Sequence, residues 1–260
     1  MTSKDIIEYI TNGITVSEKT CDTVKSGDIC KEVKKIAISM VPTAKVLTEA
    51  TEWGADLIIV HEPLYYNHMD HHIDSPVTAL KEELVKRSGA VIYRYHDHPH
   101  AHYPDMINAG FINAIGIKGK TGEKLIGGYS FTADEPISAG ELTKLIESKL
   151  SLAHVRISGN VDTPCKNFAL CLGAPGDMIA TIIRDDVDCL IVGEVCEWRV
   201  DEYARDAAYL GMNKSVLTLG HIGSERDGME LMYNELKKRF PDVEFKYINN
   251  EEVYTYTDKI

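Results

Sequence analysis

Apolar positions along this chain follow two rhythms, short unbroken runs and helical spacings, and the two alternate. The β-rich run Lys35–Met40 ends at Val41-Pro42. Helical spacing follows, with Val46, Leu47 and Ala50 on one face, and Gly54 closes it as helix-ending glycines do. Asp56–Val60 is again continuous, the pattern of a strand buried on both faces, and it stops at His61. After the polar stretch Asn67–Asp74, Ser75 and Pro76 have the chemistry of an N-cap and a first helical position. Val77, Leu80 and Leu84 keep helical spacing up to Gly89. Ala90–Tyr95 is the next strand and stops at His96. Two successive parallel strands would thus deliver histidines at their carboxyl ends, the edge where open α/β sheets bind ligands.

The texture changes near Gly127. Gly128–Thr132 (strand), Ser138–Lys149 (helix), Val155–Ser158 (strand), Asn167–Leu172 (strand), Gly176–Asp185 (helix) and Cys189–Val192 (strand) give the order β-α-β-β-α-β of ferredoxin-like units. The first style then returns. A helix over Arg199–Leu210 ends at Gly211, and the strand Ser215–Leu219 leads into Gly220-His221. A terminal helix from about Ser224 to Phe240 carries Met229, Met232, Leu236 and Phe240 as its apolar stripe. The prediction is an α/β protein with a first half over 1–126, a second over 127–260, and the ferredoxin-like segment at about 127–192.

Composition narrows the function classes. The net charge of −12, from 28 basic against 40 acidic residues, excludes the basic surface that nucleic acids require. Lys237-Lys238-Arg239 reads instead as a last helical turn, where cations complement the helix dipole. No run is long enough to span a bilayer and no secretory pattern opens the chain, so the expectation is a cytoplasmic protein without a membrane partner. Cys21, Cys30, Cys165, Cys171, Cys189 and Cys196 form no Cys-x-x-Cys pair and read as small buried residues.

Histidine placement carries the chemistry. Of ten histidines, 61, 68, 71, 72, 96, 98, 100 and 102 fall within one short stretch, a clustering that points to metal ligation. His68, His71 and His72 also fit a solvated loop lining a cleft. His61-Glu62 ends one buried strand and His96-Asp97-His98-Pro99-His100 ends the next. In an extended chain His96, His98, His100 and His102 would share a face, although Pro99 breaks that picture and not all four need bind. Gly220-His221-x-x-x-Glu225 is the third element, with His221 ending a strand and Glu225 in the first turn of a helix. Rival motifs fail: His61-Glu62-Pro63-Leu64-Tyr65 lacks the second histidine of His-Glu-x-x-His, and no Gly-x-Ser-x-Gly, Walker loop or Gly-x-Gly-x-x-Gly is present.

In this order the motifs resemble those of the Nif-three-like dinuclear metal proteins, some of which are called GTP cyclohydrolase I type 2. Asp22-Thr23-Val24-Lys25-Ser26-Gly27 is similar to the family's early Asp-Asn-x-Gly-Leu-x-x-Gly, and Asp56–Pro63 to its strand ending in His-His-Pro. Tyr95–His100 resembles His-Thr-Asn-x-Asp, and Gly220–Glu225 resembles Gly-His-x-x-x-Glu. Two positions depart: Glu62 replaces the second histidine and His100 stands where aspartate is usual; both can still ligate divalent metals. The resemblance implies two interlaced α/β halves, a homo-oligomer in the form of a hexameric ring, and two divalent ions per chain held by His61, Glu62, His96, His100, His221 and Glu225.

Zinc, iron and manganese all suit four imidazoles and two carboxylates. Two such ions about 3.5–4 Å apart share and acidify a bridging water. One expectation is therefore a metal-dependent hydrolase acting on a small molecule such as a nucleotide or cyclic amide, with Glu194 or Asp97 shuttling protons. Glu194 and Glu197, in Gly193-Glu-Val-Cys-Glu-Trp198, are candidates for the same pocket, and a structural salt bridge accounts for Glu194 equally well. The rival expectation is a non-catalytic metal-binding scaffold, metal chaperone or regulatory interaction protein.

Overall fold

The computed structural model describes residues 1–162 and 164–257. Its chain sorts into two compact units: Met1–Ile107 with Gly228–Glu251, and Asn108–Asp227 with Glu252–Ile260. The elements are, in order, α1 (Ser3–Thr11), β1 (Val24–Ser26), β2 (Lys35–Ser39), α2 (Ala44–Trp53), β3 (Leu57–Val60), α3 (Pro76–Ser88), β4 (Val91–Arg94), α4 (Asp97–Ala101) and α5 (Met106–Ile115). There follow β5 (Gly119–Leu125), β6 (Gly128–Ser138), α6 (Ala139–Leu150), β7 (Arg156–Gly159), β8 (Pro164–Cys171), α7 (Ile179–Ile182) and β9 (Cys189–Val192). A π-helical turn, Glu197–Asp201, then leads into α8 (Glu202–Tyr209), β10 (Ser215–Thr218), α9 (His221–Arg239) and β11 (Glu244–Tyr247).

The first unit is built on a sheet of order β1-β4-β3-β2-β11, in which β4, β3, β2 and β11 are parallel and β1 is antiparallel. Every residue of β3 and β4 is buried, as their unbroken apolar runs predict. Val46, Leu47 and Ala50 of α2 pack onto Ile58, Val60 and Ile92, with Gly54 ending the helix in the left-handed region. Ser75 and Pro76 start α3 as expected. Its apolar stripe, however, turns away from the core: Val77 and Leu80 are 59% and 64% exposed, and Thr78, Lys81 and Val85 face inward. The inward face is selected by donors, since Lys81 Nζ reaches the Leu64 carbonyl at 2.7 Å.

The second unit has the order β5-β6-β8-β9-β10-β7. The β-α-β-β-α-β succession is present along the chain, but the pairing differs from a ferredoxin-like sheet. Strands β8, β9 and β10 are parallel, and β7 lies antiparallel on β10. The unit boundaries also differ from the expected break at 126/127. β5 pairs with β6 across a hairpin and belongs to the second sheet, while β11 pairs in parallel with β2 and returns the C-terminal stretch to the first unit.

The two sheets share a four-strand core. The order β1-β4-β3-β2 in one is matched by β7-β10-β9-β8 in the other, each with three parallel strands and an antiparallel edge. Asp56, just before β3, accepts from the Lys34 and Lys35 amides; Asp188, just before β9, accepts from those of Lys166 and Asn167. The sequences repeat accordingly, Ala-Asp-Leu-Ile-Ile-Val-His-Glu over 55–62 and Val-Asp-Cys-Leu-Ile-Val-Gly-Glu over 187–194. Glu194 is thus the counterpart of Glu62.

Candidate metal centre

In the first unit the carboxyl edge of the parallel strands carries the histidines. His61 follows β3 directly, and its amide and that of Glu62 both bond to the Met40 carbonyl beyond β2. His61 is fully buried, and its Nδ1 lies 3.0 Å from the Tyr95 carbonyl oxygen. A carbonyl only accepts, so Nδ1 carries the proton and Nε2 keeps its lone pair. The other two rings repeat this logic with carboxylates: His96 Nδ1 is 3.0 Å from Asp97 Oδ1, and His100 Nδ1 is 2.9 Å from Asp105 Oδ2. The three rings converge, with centroids 4.5 Å apart for His61–His96, 5.2 Å for His61–His100 and 5.1 Å for His96–His100. Their donor atoms lie within 4.8 Å of one another, so one ion can engage all three. Glu62 Oε1 stands 4.0 Å from His96 Nε2. The donor set therefore fits a divalent transition ion, with each imidazole already in the tautomer that ligation needs.

The residues after β4 are helical, not extended. His96 stands at the N-cap of α4 but its side chain makes no capping bond to the helix amides, and Pro99 falls at the third position, where a missing N–H costs no helical bond. Asp22 supplies the cap: its Oδ1 accepts from the His96 and Asp97 amides at 2.7 and 2.8 Å, and Oδ2 from the His98 amide at 2.9 Å. Oδ2 also lies 2.6 Å from His98 Nδ1, and the His98 ring stacks on Tyr95. The helical turn thus parts His98 from His96 and His100 and gives it a structural task. In the polar loop, His71 and His72 are exposed, and His72 Nδ1 is paired to Glu82 at 3.0 Å.

Asp97 is committed as an acceptor to His96 Nδ1, the Thr20 hydroxyl at 2.7 Å and the Cys21 amide at 3.2 Å. The His96 bond foremost holds its carboxyl far below the usual carboxylate range. Its geometry is that of a residue orienting His96. Arg94, fully buried, ties the edge together by donating Nε to the His61 carbonyl at 3.0 Å and Nη1 to the His68 carbonyl.

In the second unit, His221 already lies in the first turn of α9, with Glu225 one turn on along the same face. His221 Nε2 is 3.1 Å from Glu225 Oε2 and Nδ1 is 2.7 Å from Glu194 Oε1. Glu225 is buried, while the Glu194 side chain is largely exposed. Two glycines make room. A Cβ on Gly173, whose φ is +69°, would sit 2.3 Å from Glu225 Oε1, and one on Gly193 would sit 2.4 Å from the Gly173 carbonyl oxygen. Glu197 is outside this group, on the π-helical turn 4.0 Å from Arg156. A cavity of about 350 Å³ beside His221 is lined by Glu194, Arg156, Tyr254 and Tyr256 among others.

Sequence reasoning passed over Asp105 and gave Asp22 only a place in the family pattern. A carboxylate five residues beyond His100 was a visible signal for the first; nothing local links Asp22 to residues 74–76 positions away.

A mixed α/β chain with imidazoles gathered at a parallel-strand edge defines the class: an α/β protein with residue groups that could hold a metal ion. The family model described as Duf34/NIF3 (NGG1p interacting factor 3) matches residues 1–253, and the chain belongs to that family. It is 26% identical over 252 residues to a "GTP cyclohydrolase 1 type 2 homolog" of Buchnera aphidicola subsp. Schizaphis graminum, covering 94% of this chain and 98% of that protein. A protein of the same name from Escherichia coli K12 is 24% identical over 256 residues, 96% of this chain and 93% of that one. Among solved structures, protein ybgI superposes with a TM-score of 0.80 at 22% identity, covering 98% of this chain and all of that chain. Reduced HcgD from Methanocaldococcus jannaschii gives 0.74 at 18% identity, covering 95% and 97%. Among the described residues no helix is long and apolar enough to cross a membrane.

Proposed function

We propose that this chain is a divalent-metal-dependent hydrolase, binding two ions of zinc, iron or manganese. The observation that carries the reading is the commitment of three Nδ1 atoms, on His61, His96 and His100, to fixed acceptors, which aims three Nε2 lone pairs into one volume. Glu62 adds a carboxylate to that set, and His221 with Glu225 serve as ligands in the second unit. When bound, the ions supply Lewis acidity and make water acidic enough to yield a nucleophile at neutral pH.

The protein's own residues do the rest. Tyr95, Asp97 and Asp105 hold the imidazoles in one tautomer and one orientation. Asp97 is a positioning residue for His96. Glu194, exposed and 2.7 Å from His221 Nδ1, positions that ring and is the carboxylate placed to exchange protons with solvent. The substrate class is a small molecule, with nucleotides and cyclic amides first, as the relatives' name indicates; a cytoplasmic homo-oligomer, hexameric as the motif resemblance implies, completes the proposal.

The test is elemental analysis of the protein after reconstitution with Zn, Mn or Fe, followed by an activity screen over phosphoesters, nucleotides and cyclic amides. At least two ions per chain, the number reduced in His61→Ala and in His221→Ala, with turnover lost in Glu225→Gln, is the expected result. Metal content unchanged in both histidine variants refutes the site. Full metal loading without turnover on any class refutes the hydrolase and leaves the non-catalytic scaffold.

A further inference from the structure

We propose that Cys21, His68 and Asp97 form a separate, thiolate-containing cation site beside the imidazole cluster, suited to zinc or another borderline-soft divalent ion. It is assembled from three places in the first unit: the stretch before β1, the loop after β3, and the first residue of α4. Their Sγ, imidazole nitrogen and carboxylate oxygen lie within 4.8 Å of one another. Cys21 Sγ is 3.6 Å from Asp97 Oδ1. Sulfur and oxygen on one tetrahedral zinc, bonded at about 2.3 and 2.0 Å, stand about 3.5 Å apart. That pair already has the required spacing.

The loop that offers His68 is built for a fixed placement. Tyr66 and Asp70 adopt positive φ values of 48° and 57°, which non-glycine residues rarely take. Asn67 spans the loop by bonding to the Tyr65 and His71 carbonyls and the His71 amide. Asp70 accepts from the Tyr65 amide and pairs with Lys25 at 2.7 Å. Buried Arg94 donates to the His68 carbonyl. The His68 imidazole is thereby held edge-on to His96, with centroids 5.2 Å apart. A solvated loop needs none of this anchoring, and a cysteine kept only for packing needs no carboxylates at 3.6 and 3.7 Å from its sulfur.

Asp97 can serve both sites. A carboxylate has about four lone-pair directions, so ligation is compatible with its bonds to His96 and Thr20. Binding replaces the Cys21 S–H bond by a sulfur–metal bond, and the proton passes to the buffer. Three donors leave a fourth position for solvent.

The experiment is cobalt(II) loading of the full chain, read by near-ultraviolet absorbance and by metal content. Sulfur-to-cobalt charge transfer is expected in the wild type and lost in Cys21→Ser. His68→Ala, a change at an exposed side chain that leaves folding intact, should lose one ion per chain and weaken the band. A fully loaded wild type without the band, a band that persists in Cys21→Ser, or unchanged content and spectrum in His68→Ala each overturn the proposal. His61→Ala separates the readings: if it keeps every ion while the Cys21-dependent band is present, the imidazole site fails and this one stands.

Discussion

Replacing Asp105 by Asn changes one oxygen for one NH2 group at a buried carboxylate that faces two donors. Oδ2 accepts from His100 Nδ1 at 2.9 Å and Oδ1 from the Ile107 amide at 2.8 Å. An amide side chain offers one oxygen, so either orientation sets donor against donor. If the oxygen keeps Ile107, His100 must move its proton to Nε2, and the lone pair that the proposed ion would use is lost. If it keeps His100, the backbone amide is left facing NH2, at a cost of about 1–3 kcal/mol in stability. Loss of such an orienting partner typically lowers metal affinity by about 10–100-fold, or about 1.4–2.8 kcal/mol. Competition between the protein and a chromophoric chelator for zinc, in wild type and Asp105→Asn, measures the affinity term; a urea titration of both metal-free proteins measures the stability term. Weaker affinity at unchanged stability identifies the tautomer switch. Unchanged affinity and unchanged stability would refute the reasoning, because the carboxylate would then not be setting the proton position on His100.

Two further outcomes follow from buried groups. Burial pushes the Lys81 ammonium down to about 8 from its ordinary 10.5. Between those values the unfolded chain holds a proton that the folded chain has shed, so stability rises with pH across that window, by about 3 kcal/mol. Below about 8 both states are protonated and the full cost of the buried charge is present. Urea unfolding from pH 7.5 to 10.5 should show this rise in the wild type and its absence in Lys81→Met; equal slopes reject the assignment. Gly173→Ala forces a side chain into the left-handed region, at about 1–2 kcal/mol, and presses its Cβ against Glu225 Oε1. A lower melting temperature together with lost metal is expected, and retained metal content would show that Glu225 is not a ligand.

The strands of the first sheet were legible because burial on both faces leaves an unbroken apolar run, and such runs stopped at His61 and near His96. Helix α2 was legible for the complementary reason, one apolar face and a glycine stop. Helix α3 was misleading: its inward face is chosen by hydrogen bonding to a loop carbonyl, a tertiary demand that hydrophobic spacing does not encode. The extended alternation of His96, His98 and His100 is broken at Pro99, as expected, but the helix that replaces it was not legible, because Asp22 completes its cap from a distant part of the chain. Carboxylates that orient ligands leave no periodicity at all. They become visible only when the imidazole they serve is fixed in space.

The internal repeat explains why the two units carry different chemistry on the same scaffold. Strands β3 and β9 end in Val60-His61-Glu62 and Val192-Gly193-Glu194, so the glutamates correspond and the preceding residue does not. At position 61 the side chain has room to reach the Tyr95 carbonyl and present Nε2. At position 193 even a Cβ would lie 2.4 Å from the Gly173 carbonyl oxygen and 2.6 Å from Ser224 Oγ. A histidine cannot be placed there without moving the backbone that supports Glu225. The second sheet therefore keeps the carboxylate and gives up the imidazole, and Glu194 bonds to His221 at a position where its counterpart Glu62 stands beside His96. Imidazole-rich and carboxylate-rich edges are then two outcomes of one strand-end geometry, decided by whether a neighbouring backbone leaves space for a side chain.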